Sequence, residues 1–219
     1  MRNVTTGYDR NADATLPGSL SHRLGNLRGV LIGLDLDGVL ADLGPGVAAR
    51  IEDRFGVASH PSTWVHYDLR DLRLGIPQDR FVRFLDEVFA DPVLYRDAPV
   101  HAGAASGLAA LLHAGWRAVG ITARPAHLRH VTRSWLCDHG LELESVIHTS
   151  LGAKHEAARA LGVAATIEDN PVEAELLAAV CDSWLLDQPY NRDHELVRSR
   201  RVHSWDEVVG RLCQLRLFA

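Results

Sequence analysis

Cysteine is scarce in this 219-residue chain: Cys137, Cys181 and Cys213 are widely spaced and odd in number. They form neither a disulfide framework nor a zinc-ligand pattern, and they point to a reducing, cytoplasmic setting. No apolar run is long enough to span a membrane, and the N-terminus lacks the apolar region of a signal peptide. Positive charge is not in excess. Lys and Arg number 23 against 28 Asp and Glu, a formal net charge of -5, which argues against a protein that coats a nucleic-acid polymer. One basic pocket for a single nucleotide is compatible with that balance. There is no internal repeat, and the twelve histidines show no metal spacing.

What is present is 47% hydrophobic residues, enough for a sizeable core. The length suits one α/β domain with an insertion, or two small domains. Residues 1–27 are polar and rich in turn formers, such as Pro17-Gly18-Ser19, and read as a loosely held extension. Gly29-Val30-Leu31-Ile32-Gly33-Leu34 is then a near-continuous apolar run, as in a strand buried on both faces of a parallel sheet. It ends abruptly in Asp35-Leu36-Asp37-Gly38. In an open α/β sheet the crevice at the carboxyl ends of the strands is where ligands bind. Two acids there oppose folding unless they are paired or bound to a cation. A solvated Asp-Gly turn gives the same letters; the long apolar lead-in favours a metal-assisted site with a nucleophilic carboxylate.

Gly44-Pro45-Gly46 reads as a turn, and Val47 to Phe55 as a helix closed by Gly56. Residues 58–99 hold about half of the aromatics, among them Trp64, Tyr67, Phe81, Phe84, Phe89 and Tyr95. Phe81, Phe84, Leu85 and Val88 recur at helical spacing, so this stretch reads as a small helical insertion. Strand and helix then alternate. Strands are expected over 116–121, 144–149, 164–167, 182–187 and 201–204, and helices over 101–114, 126–139, 153–161 and 205–215. Thr122, Ala123 and Arg124 fall at a strand end before Pro125, where free backbone N–H groups make an anion site; a plain Thr-capped helix fits equally. Lys154 opens a helix, a place where lysines are ordinarily solvated. Glu168-Asp169-Asn170-Pro171 ends a strand, with Asn170 suited to cap the next helix and Pro171 to begin it.

Asp35-Leu36-Asp37-Gly38-Val39-Leu40-Ala41-Asp42 resembles the first motif of haloacid dehalogenase-like phosphatases, and its Val-Leu-Ala-Asp continuation is similar to the 5'(3')-deoxyribonucleotidase branch. The resemblance runs from about residue 29 to 205. It implies a Rossmann-like, doubly wound parallel sheet of residues 28–44 and 100–219, with a helical cap of residues 45–99 inserted after the first strand. It also implies Asp35 as nucleophile, Asp37 as acid and base, and Thr122 and Lys154 on the phosphoryl oxygens. Mg²⁺ would sit on the side chains of Asp35 and Asp169 and on the backbone carbonyl of Asp37, with Glu168 in a supporting role behind it. Ala123 and Arg124 would meet the substrate. Trp64 and Tyr67 would either stack on a base or fill the cap. The branch often carries Thr-Ser where this chain has Thr122-Ala123, and Asp-Asp where it has Glu168-Asp169. Pro189-Tyr190-Asn191 is similar to a segment of bacterial members.

The activity implied is hydrolysis of a small phosphomonoester, a nucleoside monophosphate in the first instance, through an aspartyl-phosphate. Another metabolite phosphate, such as a sugar phosphate, is the alternative substrate. A non-catalytic phosphate-binding protein would have no use for Asp37. Among the converging acids, Lys154 is the one cationic partner expected.

Overall fold

The computed structural model describes residues 29–216; the expected N-terminal extension lies outside them. Six strands form one parallel sheet: β1 (Val30–Leu34), β2 (Trp116–Thr122), β3 (Val146–His148), β4 (Ala165–Glu168), β5 (Asp182–Leu186) and β6 (Arg200–Val202). Their order is β3-β2-β1-β4-β5-β6. The chain winds outward in one direction from β1 and in the other from β4. The switch point therefore lies between those two strands, and a crevice opens there at their carboxyl ends.

Alternation along the strands feeds two cores. Ile32 and Leu34 of β1, Trp116 and Ala118 of β2 and Ala165 and Ile167 of β4 face one apolar cluster. Leu31, Val119 and Ile121 face the other. This is why the strands read as continuous apolar runs rather than alternating ones. The fold is the doubly wound α/β class expected, with helices on both sides of the sheet.

Between β1 and β2 the chain makes α1 (Gly44–Phe55), two short 3₁₀ turns (Pro61–Thr63 and Leu69–Asp71), α2 (Gln78–Ala90) and α3 (Pro92–Arg96). These elements bury a third cluster that includes Val47, Ile51, Trp64, Phe81, Phe84, Leu85 and Leu94, joined by Leu128 from beyond β2. The ends of the insertion are pinned to each other. Asp42 N–H donates to the Pro99 carbonyl at 2.9 Å and His101 N–H to the Leu40 carbonyl at 2.8 Å. A helical cap thus rises from a single doorway above the crevice.

The remaining helices are α4 (Ala104–His113), α5 (Arg129–Asp138), α6 (Lys154–Leu161), α7 (Pro171–Leu177) and α8 (Trp205–Arg216). Asn170 caps α7 as expected, its Oδ1 accepting from Val172 N–H at 2.9 Å and Glu173 N–H at 3.3 Å. Two local expectations are corrected. Gly44-Pro45-Gly46 is the first turn of α1 rather than a free turn, because Asp42 Oδ1 accepts the Gly44 N–H and Pro45 tolerates a first-turn position. Pro125 does not begin a helix: a 3₁₀ turn, Ala126–Leu128, comes first, and α5 starts at Arg129. No helix among the described residues is long and apolar enough to cross a membrane.

Helix α4 meets α8 through Trp205, whose indole N–H donates to the Val39 carbonyl at 3.1 Å. A Cβ on Gly107 would stand 2.4 Å from Trp205 Cε3, whereas one on Gly210 would meet nothing within 4 Å. Gly107→Ala is therefore expected to destabilise by about 1–3 kcal/mol, the overpacking outweighing better helix propensity, while Gly210→Ala stabilises by up to about 1 kcal/mol. Urea midpoints of the two variants check the opposite signs; equal shifts would contradict the packing described.

Candidate active site

The end of β1 and the end of β4 bring acids to the switch point, and the start of α6 brings a base. Lys154 is almost wholly buried, its Nζ 2.8 Å from Asp35 Oδ2 and 2.8 Å from Glu168 Oε2. Asp35, Glu168 and Asp169, all buried, each offer a carboxylate oxygen within 4.8 Å of the others. With all three carboxylates ionised against one ammonium, this cluster would carry two negative charges in excess. The protein accommodates that excess with directed hydrogen bonds. Asn170 N–H donates to Glu168 Oε1 at 3.2 Å and the Tyr190 hydroxyl to Asp169 Oδ2 at 2.5 Å. Asn191 Nδ2 donates to the backbone carbonyl of Asp169 at 2.8 Å and so fixes the main chain there.

The imbalance shows in the protonation energetics. Burial, then the charge of Asp35, pushes the Asp169 carboxyl up to about 7 in spite of its bond from Tyr190. The same two causes drive Glu168 well above the usual carboxylate range, with Lys154 opposing. For Lys154 burial favours the neutral amine, but Asp35 and Glu168 outweigh it and hold the ammonium well above its ordinary value. Asp169 Oδ1 is buried with no hydrogen-bond partner among the described residues. An orphaned carboxylate oxygen beside an acid-rich pocket is the donor set a small hard cation takes; the residues present fit such an ion.

Gly38 makes this approach possible. Its φ of +76° is left-handed, and a Cβ there would stand 2.1 Å from Asp169 Oδ2 and 2.7 Å from the Tyr190 hydroxyl. The Gly38 carbonyl in turn accepts from Gln188 Nε2 at 2.9 Å.

Asp37 is placed differently from Asp35. β1 ends at Leu34, so the two acids do not share a strand face. The Asp37 side chain, 30% exposed, faces Arg124, whose Nη2 lies 2.5 Å from Oδ1 and whose Nε lies 3.0 Å from both carboxylate oxygens. This corrects the expectation that Lys154 would be the one cation among the acids. Thr122 is buried at the end of β2, its Oγ1 3.2 Å from the backbone N–H of Arg124, so that N–H is not free for an anion.

A cavity of about 990 Å³ lies over these groups and is lined by Asp35, Asp37, Thr122, Ala123, Arg124, Lys154 and Asp169. The cap contributes His60, Trp64, Tyr67 and Arg70 to its walls. The two aromatics differ. Trp64 is 3% exposed within the cap cluster, its indole N–H bonded to Ser59 Oγ at 2.8 Å. Tyr67 is 37% exposed and packs edge-to-face on Tyr190, ring centres 5.8 Å apart. Glu168, given a supporting role by resemblance, stands inside the acid cluster with Asp35 and Asp169.

Sequence reasoning missed the partnership of Arg124 with Asp37 and the bond from Gln188 to the Gly38 carbonyl. For Tyr190 and Asn191 it had a signal, the Pro-Tyr-Asn segment, but not their target.

Solved structures with a similar architecture include hydrolases and phosphatases. A HAD family hydrolase from Deinococcus radiodurans R1, with bound phosphate and sodium, is 19% identical, with a TM-score of 0.59 over 88% of this chain and 98% of that one. A predicted phosphatase from Clostridium acetobutylicum is 14% identical, TM-score 0.58, over 85% and 99%. CbbY from Rhodobacter sphaeroides, in complex with phosphate, is 17% identical, TM-score 0.53, over 81% and 95%. At such identities the likeness is one of fold, and the fold is that of the haloacid dehalogenase-like hydrolases. No curated protein matches the chain by sequence. The family described as "5' nucleotidase, deoxy (Pyrimidine), cytosolic type C protein" matches residues 28–218. The chain belongs to that family and is a phosphatase.

A buried carboxylate whose partner is a hydroxyl rather than a cation opposes folding. In EDTA, Asp169→Asn is expected to raise stability by roughly 1–4 kcal/mol, at about 2–4 °C per kcal/mol for a chain of this size. A thermal melt checks this; a lowered midpoint would show that Tyr190 already compensates the charge.

Proposed function

We propose that the chain is a Mg²⁺-dependent 5'-nucleotidase acting on nucleoside monophosphates through an aspartyl-phosphate, with residues 45–99 as the cap that covers the substrate. The observation that carries this reading is the cluster of Asp35, Glu168 and Asp169 around Lys154, with the free Oδ1 of Asp169, beneath a cavity roomy enough for a nucleotide. Asp35 and Asp169 would hold the ion with their side chains and Asp37 with its backbone carbonyl. Bound there, Mg²⁺ supplies charge neutralisation of a dianionic phosphate facing a carboxylate.

The rest follows from this chain's own groups. The Asp35 carboxylate attacks phosphorus in line, the bond to the ester oxygen breaks, and an aspartyl-phosphate forms. Asp37 gives its proton to the leaving oxygen. It then takes a proton from the water that attacks the aspartyl-phosphate, releasing inorganic phosphate and the free Asp35 carboxylate. Lys154 and Thr122 hold the phosphoryl oxygens, where donors fixed in advance stabilise charge as it shifts. Tyr67, with its half-exposed ring at the cavity wall, is the better placed of the two cap aromatics to meet a base.

Turnover across a panel of nucleoside monophosphates, sugar phosphates and glycerol phosphate tests the reading. Nucleotides are expected to be preferred, and EDTA with metal-free dialysis is expected to abolish activity. Efficient hydrolysis of small non-aromatic phosphates with no turnover of any nucleotide would move the substrate to another metabolite. Asp35→Asn is near-isosteric but is no nucleophile, and it is expected to lower kcat by at least about 10³-fold with a folded protein by circular dichroism. Near wild-type turnover in a clean preparation would refute the covalent step.

A further inference from the structure

Arg124 was expected to meet the substrate, yet its guanidinium is enclosed. The side chain is 1% exposed. An arginine carries five N–H donors on three nitrogens, and all three nitrogens are engaged. Nε and Nη2 bind Asp37, and Nη1 donates to Thr132 Oγ1 at 3.1 Å, Thr132 being fully buried. The Tyr95 ring lies 4.8 Å and the Trp135 ring 5.9 Å from the guanidinium carbon. Those rings are themselves anchored. The Tyr95 hydroxyl donates to the Phe89 carbonyl at 2.9 Å and the Trp135 indole N–H to the Ala98 carbonyl at 2.8 Å.

The enclosed arginine therefore presents a fixed fork to one acid. Asp37 Oδ1 accepts two of the bonds and Oδ2 one, and the Asp37 side chain keeps its 30% exposure toward the cavity. A carboxylate that passes a proton must stand in one orientation toward the reacting oxygen, and a displacement of about 1 Å can cost about 10²-fold in rate. A planar guanidinium holds a carboxylate in a plane as a point charge cannot.

We propose that Arg124 is a positioning residue: it orients the Asp37 carboxylate for proton transfer to the leaving oxygen and from the attacking water, and it does not bind the substrate's phosphate. This rests on the acid–base role given to Asp37 above. The clamp spans the end of β2, helix α5 and, through the Tyr95 ring, the cap.

The test is a double-mutant cycle with Asp37→Asn and Arg124→Met, on the fastest alkyl phosphomonoester of the panel, with inorganic phosphate as competitive inhibitor. Arg124→Met is expected to lower kcat by about 10²-fold while KM and the phosphate inhibition constant stay within about twofold. In the Asp37→Asn background the same change is expected to cost no more than about twofold, since a residue that acts through Asp37 has nothing left to orient. Arg124→Lys, which keeps the charge but not the fork, is expected to recover about tenfold of the loss. It stands in for Arg124→Met in the cycle if the methionine variant melts below the assay temperature.

A weakened KM and phosphate inhibition with intact kcat would overturn the proposal and make Arg124 a phosphate ligand. So would losses that multiply in the double variant. A slow Asp37→Asn beside an unimpaired Arg124→Met removes this inference alone. A fully active Asp37→Asn removes the acid–base reading together with it.

Discussion

The buried ammonium of Lys154 between Asp35 and Glu168 is the interaction on which the rest of the site depends. Two charges brought out of water are tolerated only when each finds partners in good geometry. Here one cation faces three acids, so the remaining negative charge has to be met by dipoles. The Tyr190 hydroxyl and the Asn170 N–H at the head of α7 supply them. Even so, one Asp169 oxygen is left without a donor among the described residues. The arrangement is a site assembled around an excess of negative charge, and that excess is what makes it receptive to a cation.

That electrostatic demand sets the backbone around it. Asp169 approaches the chain so closely at Gly38 that a methyl group would collide with its carboxylate. The tight return from Leu36 to Ala41 then sends the chain into the cap through the same doorway by which it comes back at Pro99 and His101. The cap is tied to the acids at two points. Tyr95 lies over Arg124, which holds Asp37, and Tyr67 packs on Tyr190, which donates to Asp169. Cap packing and acid geometry are in this way parts of one structure, and the cavity is bounded by both.

Much of this was legible in the residue order. A parallel α/β sheet with both faces covered writes itself as apolar runs, because every inward and outward position of a central strand is buried. The ends of those runs then stand out chemically. Asp35 after β1, Thr122 at the end of β2 and the Glu168–Asp169 pair at the end of β4 could all be found by reading where apolar sequence stops. Lys154 was singled out by resemblance, from its match to a family motif after β3, rather than by its type. The helical nature of the insertion followed from the spacing of Phe81, Phe84, Leu85 and Val88, all buried as that spacing requires.

What sequence determined by itself was therefore the set of strand ends and the kind of layer each segment joins, since hydrophobic periodicity is local and survives without knowledge of neighbours. What only the tertiary structure decided was pairing. Arg124 and Asp37 are 87 positions apart, Tyr190 and Asp169 are 21 apart, and Gln188 and Gly38 are 150 apart. No periodicity links such residues. The lateral order of the strands brings their carboxyl ends together, and burial then makes their mutual orientation matter, because in a pocket withdrawn from water each charge must be answered by a particular partner rather than by solvent.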